Sequence, residues 1–214
     1  MNQMNTDDYY AHIRTDVLEM VPDRAGCVLD VGGGVGNSSS YLKEIGKAER
    51  AVVVDLVGDN CLASIDAAYG GDLEDPALLD KIAAEQGPFD TILCLDVLEH
   101  LSDPWTVVGK LHGMLKPGGT IVASIPNVRN YRLVWPLVMK GQFTLADAGI
   151  LDRTHLRWFV RDTARDLMVS SGLELEEMSG HYEGRKKELF NKLTLGLFRE
   201  FLIIQFYIRV RKPG

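Results

Sequence analysis

Val28-Leu29-Asp30-Val31-Gly32-Gly33-Gly34-Val35-Gly36 decides how this chain is read. Residues 28–31 have the composition of a buried strand, and they run straight into the glycines and then into a helix beginning near Asn37. Backbone without Cβ atoms turns sharply and lets a ligand come close, while the free N–H groups of a helix start point toward it. A nucleotide-type cofactor suits such a loop. Gly32, Gly34 and Gly36 give G-x-G-x-G, not the G-x-G-x-x-G expected where a dinucleotide pyrophosphate rests on the helix.

Outward from the loop come the acids. Asp55 ends a second strand about 20 residues on, where a carboxylate can accept hydrogen bonds from both hydroxyls of a ribose. Gly71-Asp72 follows a third, and a carboxylate there can accept from an adenine amino group. Asp30 is placed to hold the loop or a cationic amino group. Each acid alone reads as a solvated strand end. In this order behind this loop they read as ligands.

Short apolar or β-branched runs at residues 27–31, 50–55, 67–70, 89–95 and 120–125 alternate with helical spacing at 38–45, 76–86 and 104–115, the pattern of a parallel sheet with crossover helices. Beyond Pro126 the period changes. A mixed apolar and basic helix is expected at 129–141, then an aperiodic loop at 142–154, together an insertion over the strand ends. The α/β pattern resumes with a helix at 161–171, a strand at 173–178, a helix at 187–201 and a last strand at 202–211.

The chain has 214 residues, 46% hydrophobic and 25% charged, which suits one α/β domain. No run reaches the ~18 apolar residues of a membrane span, and residues 1–8 are polar rather than signal-like, so a cytoplasmic protein is expected. Cys27, Cys61 and Cys94 are odd in number and lie among apolar neighbours; they read as core residues, with no disulfide framework and no zinc site. The net charge of -7 divides unevenly: 8 Lys and Arg against 20 Asp and Glu up to Val128, then 15 against 10. The acidic front half argues against nucleic-acid binding, while the basic back half can draw an anionic group into a cleft.

Together these motifs resemble class I S-adenosylmethionine-dependent methyltransferases over nearly the whole chain. Residues 28–36 match the first motif of that family and Asp55 its ribose-binding acid. Gly71-Asp72 matches the adenine-contacting segment, and Phe89 to Leu101 the run Phe-Asp-x-Ile-x-x-x-x-Val-Leu-Glu-His-Leu. Leu115-Lys116-Pro117-Gly118-Gly119 matches the turn before the fifth strand. Gly33 stands where the family often carries Cys or another small residue. The resemblance implies a Rossmann-like, seven-stranded, mostly parallel sheet with an antiparallel last strand, here near 206–210. It also implies S-adenosylmethionine as cofactor, held by Asp30, Gly32, Gly33, Gly34, Gly36, Asp55, Leu56, Gly71, Asp72, Leu73, Leu95 and Asp96. Residues 1–24 would form a lid segment and 127–159 a substrate cap on a single domain, 1–214.

Asp152-Arg153-Thr154-His155-Leu156-Arg157-Trp158-Phe159 gathers two arginines and a histidine, and resembles a segment of methyltransferases associated with glycan and cell-surface polysaccharide biosynthesis. A small, anionic or sugar-like acceptor methylated on oxygen is therefore expected, a nucleotide-linked sugar included. His155 is the candidate base, since imidazole accepts a hydroxyl proton at neutral pH; a loop-fixing role is the alternative. Arg153 is the first candidate to clamp an anion, or else it pairs with Asp147 or Asp152. Tyr10, Asn127, Arg129, Arg132 and Arg157 are candidate substrate contacts. Asp96, Glu99 and His100, with His155, could ligate a divalent metal as in some RNA-end methyltransferases, but adjacent helical residues face apart, so no metal is expected. A nicotinamide oxidoreductase and a non-catalytic cofactor-binding module are the remaining alternatives.

Overall fold

The computed structural model describes residues 14–214. Seven strands, β1 (Gly26–Val31), β2 (Ala48–Asp55), β3 (Ala67–Gly70), β4 (Phe89–Leu95), β5 (Leu115–Pro126), β6 (Glu174–Tyr182) and β7 (Ile203–Arg211), form one sheet in the order β3-β2-β1-β4-β5-β7-β6. The pairs among β1 to β5 are parallel, and β7 runs antiparallel to both β5 and β6. This is the sheet that the resemblance implied.

Side chains alternate across each strand, so a buried parallel strand supplies apolar groups to both faces. Leu29, Val31, Ile92, Cys94, Ile121 and Ala123 enter one core. Helices α3 (Pro76–Gln86), α4 (Pro104–Met114) and α6 (Arg161–Val169) cover it with Leu79, Ile82, Val107, Leu111 and Leu167. Val28, Leu93, Val122 and Tyr207 face the other core, under α1 (Thr15–Leu18) and α2 (Asn37–Glu44). Val17, Leu18, Met20 and Val21 are buried there, so this part of the expected lid segment is a packed wall of the domain.

Polar side chains fix where the helices begin. Asp75 accepts from the Ala77 amide with Pro76 in the first turn of α3, and Asp103 does the same for Thr106 in α4, also behind a proline. Such caps each contribute about 1 kcal/mol. Asn130 caps α5 (Tyr131–Lys140) by accepting from the Arg132 amide, so the helix starts two residues later than its basic pattern suggested.

Other differences from the sequence reading also have local causes. The helix expected over 187–201 is two, α7 (Arg185–Leu193) and α8 (Arg199–Leu202), because Leu195 and Gly196 take φ of 50° and 81° and turn the chain left-handed. β5 begins at Leu115 rather than Thr120: Leu115 pairs with Phe89 and Thr120 with Thr91, leaving Lys116 to Gly119 as a bulge inside the strand. β6 extends to Tyr182 through a polar stretch that pairs with β7. Of the three cysteines expected in the core, only Cys94 is buried; Cys27 and Cys61 are half-buried beside Arg50 and the Gly34 carbonyl. Among the described residues, no helix is long and apolar enough to cross a membrane.

Candidate active site

β1 hydrogen-bonds to β2 on one side and to β4 on the other, so chain connections leave in opposite directions above it. A crevice at the carboxyl ends of the strands follows from that reversal. Gly36 caps α2 with φ 86°, and a Cβ there would lie 2.7 Å from Ile65. A Cβ on Gly33 would lie 2.6 Å from the Asp30 carboxyl carbon, so side-chain-free backbone is what lets the loop fold over this acid. Asp30 is buried, and burial, opposed by a hydrogen bond from Ser39, raises its pKa to about 6. Its Oδ2 has no hydrogen-bond partner among the described residues. That orphaned acceptor beside an open glycine turn fits a ligand carrying an ammonium group, as S-adenosylmethionine does.

Asp55 Oδ2 accepts from the Gly34 amide at 2.9 Å, and Oδ1 from the Val57 amide at 3.2 Å. Asp72 bonds the Glu74 amide at 2.9 Å and keeps its carboxylate in solvent. Leu73 is buried and Leu56 exposed. Asp30, Asp55, Gly71-Asp72 and Leu95-Asp96 thus all reach the same edge, at the ends of adjacent strands.

Asp96 anchors a network that the sequence reading missed. It follows β4 with φ 55°, a left-handed conformation costly for a residue with a Cβ. Its Oδ1 accepts from Ser124 Oγ at 2.8 Å and Gln205 Nε2 at 2.7 Å, and Oδ2 pairs with the Arg14 guanidinium. Arg14 also donates to Gln205 Oε1 at 2.7 Å. Burial opposes its charge, but Asp96 and Tyr207 hold it above the usual range. Next to it Tyr207 donates to Asp16, whose Oδ2 lies 3.1 Å from His181 Nδ1. These residues come from both ends of the chain, and no spacing links them.

His155 packs with Glu99 and His100. Its Nδ1 lies 3.0 Å from the Ile150 carbonyl, which can only accept, so Nδ1 carries the proton and Nε2 a lone pair. Nε2 lies 3.9 Å from Glu99 Oε1, and the His100 ring stands edge-on to it with centroids 4.7 Å apart. Burial holds the His155 pKa below its ordinary 6.5. Glu99 is buried with both carboxylate oxygens unpartnered among the described residues; burial, then Asp96, pushes its pKa well above 4.5. One ligand atom from each of Glu99, His100 and His155 lies within 4.8 Å of the others. The short 3-10 turn over Leu98–His100 is what lets neighbours 99 and 100 converge on His155, against the helical geometry assumed from sequence.

The other candidates separate. Arg153 pairs with Asp147 at 2.6 Å and is exposed, the holding role weighed as its alternative. Arg157 donates to the Ser102 carbonyl and lies over Trp105; Arg132 pairs with Glu183, and Arg129 lies over Phe201. Asn127 is a correction: it is fully buried, donating to the Glu200 and Ile203 carbonyls and accepting from the Arg129 amide, so its amide staples α8 and β7 to the end of β5. Tyr10 lies outside the described residues. A cavity of about 470 Å³ at the opposite, amino-terminal edge is lined by Lys116, Arg209 and Arg211, which are paired with Asp90 and Glu176.

The family model described as "Methyltransferase domain" matches residues 4–178. A ubiquinone biosynthesis O-methyltransferase of Xanthomonas euvesicatoria pv. vesicatoria is 29% identical over 172 residues, covering 78% of this chain and 71% of its own. Among solved structures, an S-adenosylmethionine-dependent methyltransferase from Archaeoglobus fulgidus superposes with a TM-score of 0.63 at 18% identity, covering 92% of both chains. The N-methyltransferase NodS from Bradyrhizobium japonicum, in complex with S-adenosyl-L-homocysteine, does so with 0.57 at 16% identity, covering 99% of this chain and 90% of that one.

Proposed function

Because this chain belongs to the methyltransferase-domain family and is an S-adenosylmethionine-dependent methyltransferase, we propose that its acceptor atom is the oxygen of a hydroxyl and that His155 takes the hydroxyl proton. The cofactor supplies an electrophilic methyl group on a sulfonium, so the protein has to align the acceptor and receive a proton. Asp30, Gly33, Gly34 and Asp55 hold the donor side. His155 is the observation that carries the acceptor side: a neutral imidazole, its Nδ1 proton fixed on the Ile150 carbonyl and its Nε2 lone pair, 3.9 Å from Glu99 Oε1, able to accept. Arg14, Ser124 and Gln205 fix Asp96 in its left-handed turn at the end of β4.

The acceptor we favour carries its hydroxyl on an apolar or aromatic body. Phe143 and Trp158 stand edge-on with centroids 5.6 Å apart, and Trp158 lies 5.8 Å from His155, giving an aromatic path toward the base. The relative named for ubiquinone biosynthesis supports the same direction. A sugar or nucleotide-linked sugar needs the same oxygen chemistry, but its anion would have to displace Asp147 from Arg153 and Glu183 from Arg132. The test is transfer from labelled S-adenosylmethionine to matched phenolic, sugar and amine acceptors. Oxygen methylation of the phenol is expected, and transfer confined to amines would overturn the reading.

A second reading, metal-assisted transfer, is favoured by one observation: Glu99 offers two oxygens, unpartnered among the described residues, beside two imidazoles. The ring nitrogen opposite a ligating one is characteristically tied to a carbonyl, as His155 Nδ1 is. Glu99, His100 and His155 would hold a divalent ion that orients the acceptor oxygen and favours its ionised form. Loss of activity in EDTA, restored by a divalent metal, supports this reading over the unaided base.

A further inference from the structure

The segment after β5 builds an outward apolar face. In α5, Tyr131, Trp135, Val138 and Met139 follow the i, i+4, i+7, i+8 spacing of one helical side. Trp135, Val138 and Met139 are 62%, 72% and 60% exposed, whereas Leu133 on the opposite side is 6% exposed. The helix is therefore amphipathic twice over, with one apolar side on the domain and a second facing away from it. α7 starts against the same helix: Lys187 lies over the Tyr131 ring and Arg132 pairs with Glu183. Leu193 at the end of α7 and Leu195 beyond it are exposed as well. An exposed apolar helix side of this kind marks an interaction site.

Charge chooses the partner. Residues 129–158 hold five Lys and Arg against two Asp and Glu, and residues 183–200 five against three. The two segments that carry the exposed apolar groups are thus +3 and +2 in a chain of net -7, which leaves -12 elsewhere. Two copies meeting through this face would oppose like charges, while a surface that is anionic outside and apolar within matches both properties. Tryptophan and tyrosine beside lysine and arginine are the composition of helices that lie in a membrane interface. The stripe is too short and too one-sided to span, in keeping with the absence of a membrane-crossing helix among the described residues.

We propose that the face formed by α5 and the chain after α7 docks on an anionic lipid bilayer, with the apolar groups in the headgroup layer and the net positive charge of the two segments toward the phosphates. Three residues beyond α5, Phe143 is exposed as well, and its ring meets Trp158 beside His155. The enzyme would then work with its acceptor cap against the lipid. This extends the reading of an acceptor with an apolar body, and lipid binding can be measured without any acceptor.

The experiment is flotation of the full chain with vesicles of phosphatidylcholine alone and of equimolar phosphatidylcholine and phosphatidylglycerol, at low and high salt. Binding to the anionic vesicles, weakened by salt, is expected. Trp135→Ser with Val138→Glu should lower it by about tenfold or more, since apolar burial is lost and an acid added; Lys140→Glu should lower it about fivefold or more. S-adenosylhomocysteine affinity, measured by calorimetry in the same variants, should be unchanged, which separates a lost surface from a lost fold. No binding to either vesicle overturns the proposal. So does a wild-type dimer in sedimentation that Trp135→Ser with Val138→Glu converts to monomer, because the face would then belong to a second copy.

Discussion

The Gly34 amide donates to the Asp55 carboxylate at 2.9 Å, joining the glycine loop to the end of the next strand. The bond holds Asp55 at the edge of the crevice, and because a carboxylate has room for more than one donor, we propose that its remaining acceptor sites take the ribose hydroxyls. Asp55→Ala should lower S-adenosylhomocysteine affinity about 10- to 100-fold, the range for hydrogen bonds to a charged group. Calorimetric titration measures it, and unchanged affinity would remove Asp55 from the site.

As the proposed partner of the cofactor's ammonium group, Asp30 should link cofactor binding to pH. Its folded pKa, about 6, lies above the ordinary 3.8. The sign is that of a raised group: its contribution to stability is complete below 3.8 and is lost as pH rises through 6. Asp30→Asn should thus stabilise the protein without cofactor at pH 8, by up to about 3 kcal/mol, and have little effect at pH 4. In the native protein, S-adenosylhomocysteine affinity should fall as pH drops below 6, because protonation removes the partner of its ammonium group. Denaturant titration and calorimetry across pH test both parts.

Gly33→Ala should cost about 1–3 kcal/mol, because the new methyl meets the Asp30 carboxyl at 2.6 Å in a buried setting. A sequence comparison treats a small residue there as a mild change. The clash makes Gly33 and this orientation of Asp30 a matched pair, and a thermal midpoint equal to that of the native protein would show that the carboxylate can move aside.

His155→Ala should lower kcat about 100-fold or more while leaving cofactor affinity intact. As the proposed base, His155 would work in its neutral form, and burial holds its pKa below 6.5, so the native rate should be flat near neutral pH and fall only on the acid side of 6.5. A pH–rate profile that rises above 7 would point to another base.

Glu99→Gln distinguishes the two readings of the histidine cluster. Glu99 has its pKa raised by burial, so ionised Glu99 destabilises the fold increasingly as pH rises, and a neutral amide of the same shape should raise the denaturation midpoint at pH 8 more than at pH 5. If the cluster holds a metal, the same change should also abolish metal content measured by elemental analysis.

How much of this was legible in the sequence follows from how local each feature is. The glycine loop, Asp55 and Gly71-Asp72 act within a strand and the turn after it, so spacing along the chain reveals them. The short helix 131–140 and the split at Leu195 and Gly196 depend on Asn130 capping and left-handed backbone, which composition signals only weakly. Asn127 looked like a substrate contact because it follows β5; the return of β7 alongside β5 buries it among carbonyls instead.

By itself, the sequence determined the cofactor half of the protein: a parallel sheet, a crevice at its carboxyl edge and the acids around it, because periodicity and turn chemistry are short-range. Only the tertiary structure brings together the residues of the proposed acceptor half. Glu99 and His155 are 56 positions apart in the chain, and Arg14 and Gln205 lie 191 apart, yet each pair meets above the sheet. Only the antiparallel insertion of β7 between β5 and β6 brings Gln205 and Tyr207 beside Asp96 and Arg14. Burial then sets the chemistry, making Asp30 and Glu99 costly to ionise and His155 neutral, and burial belongs to the folded packing rather than to any motif.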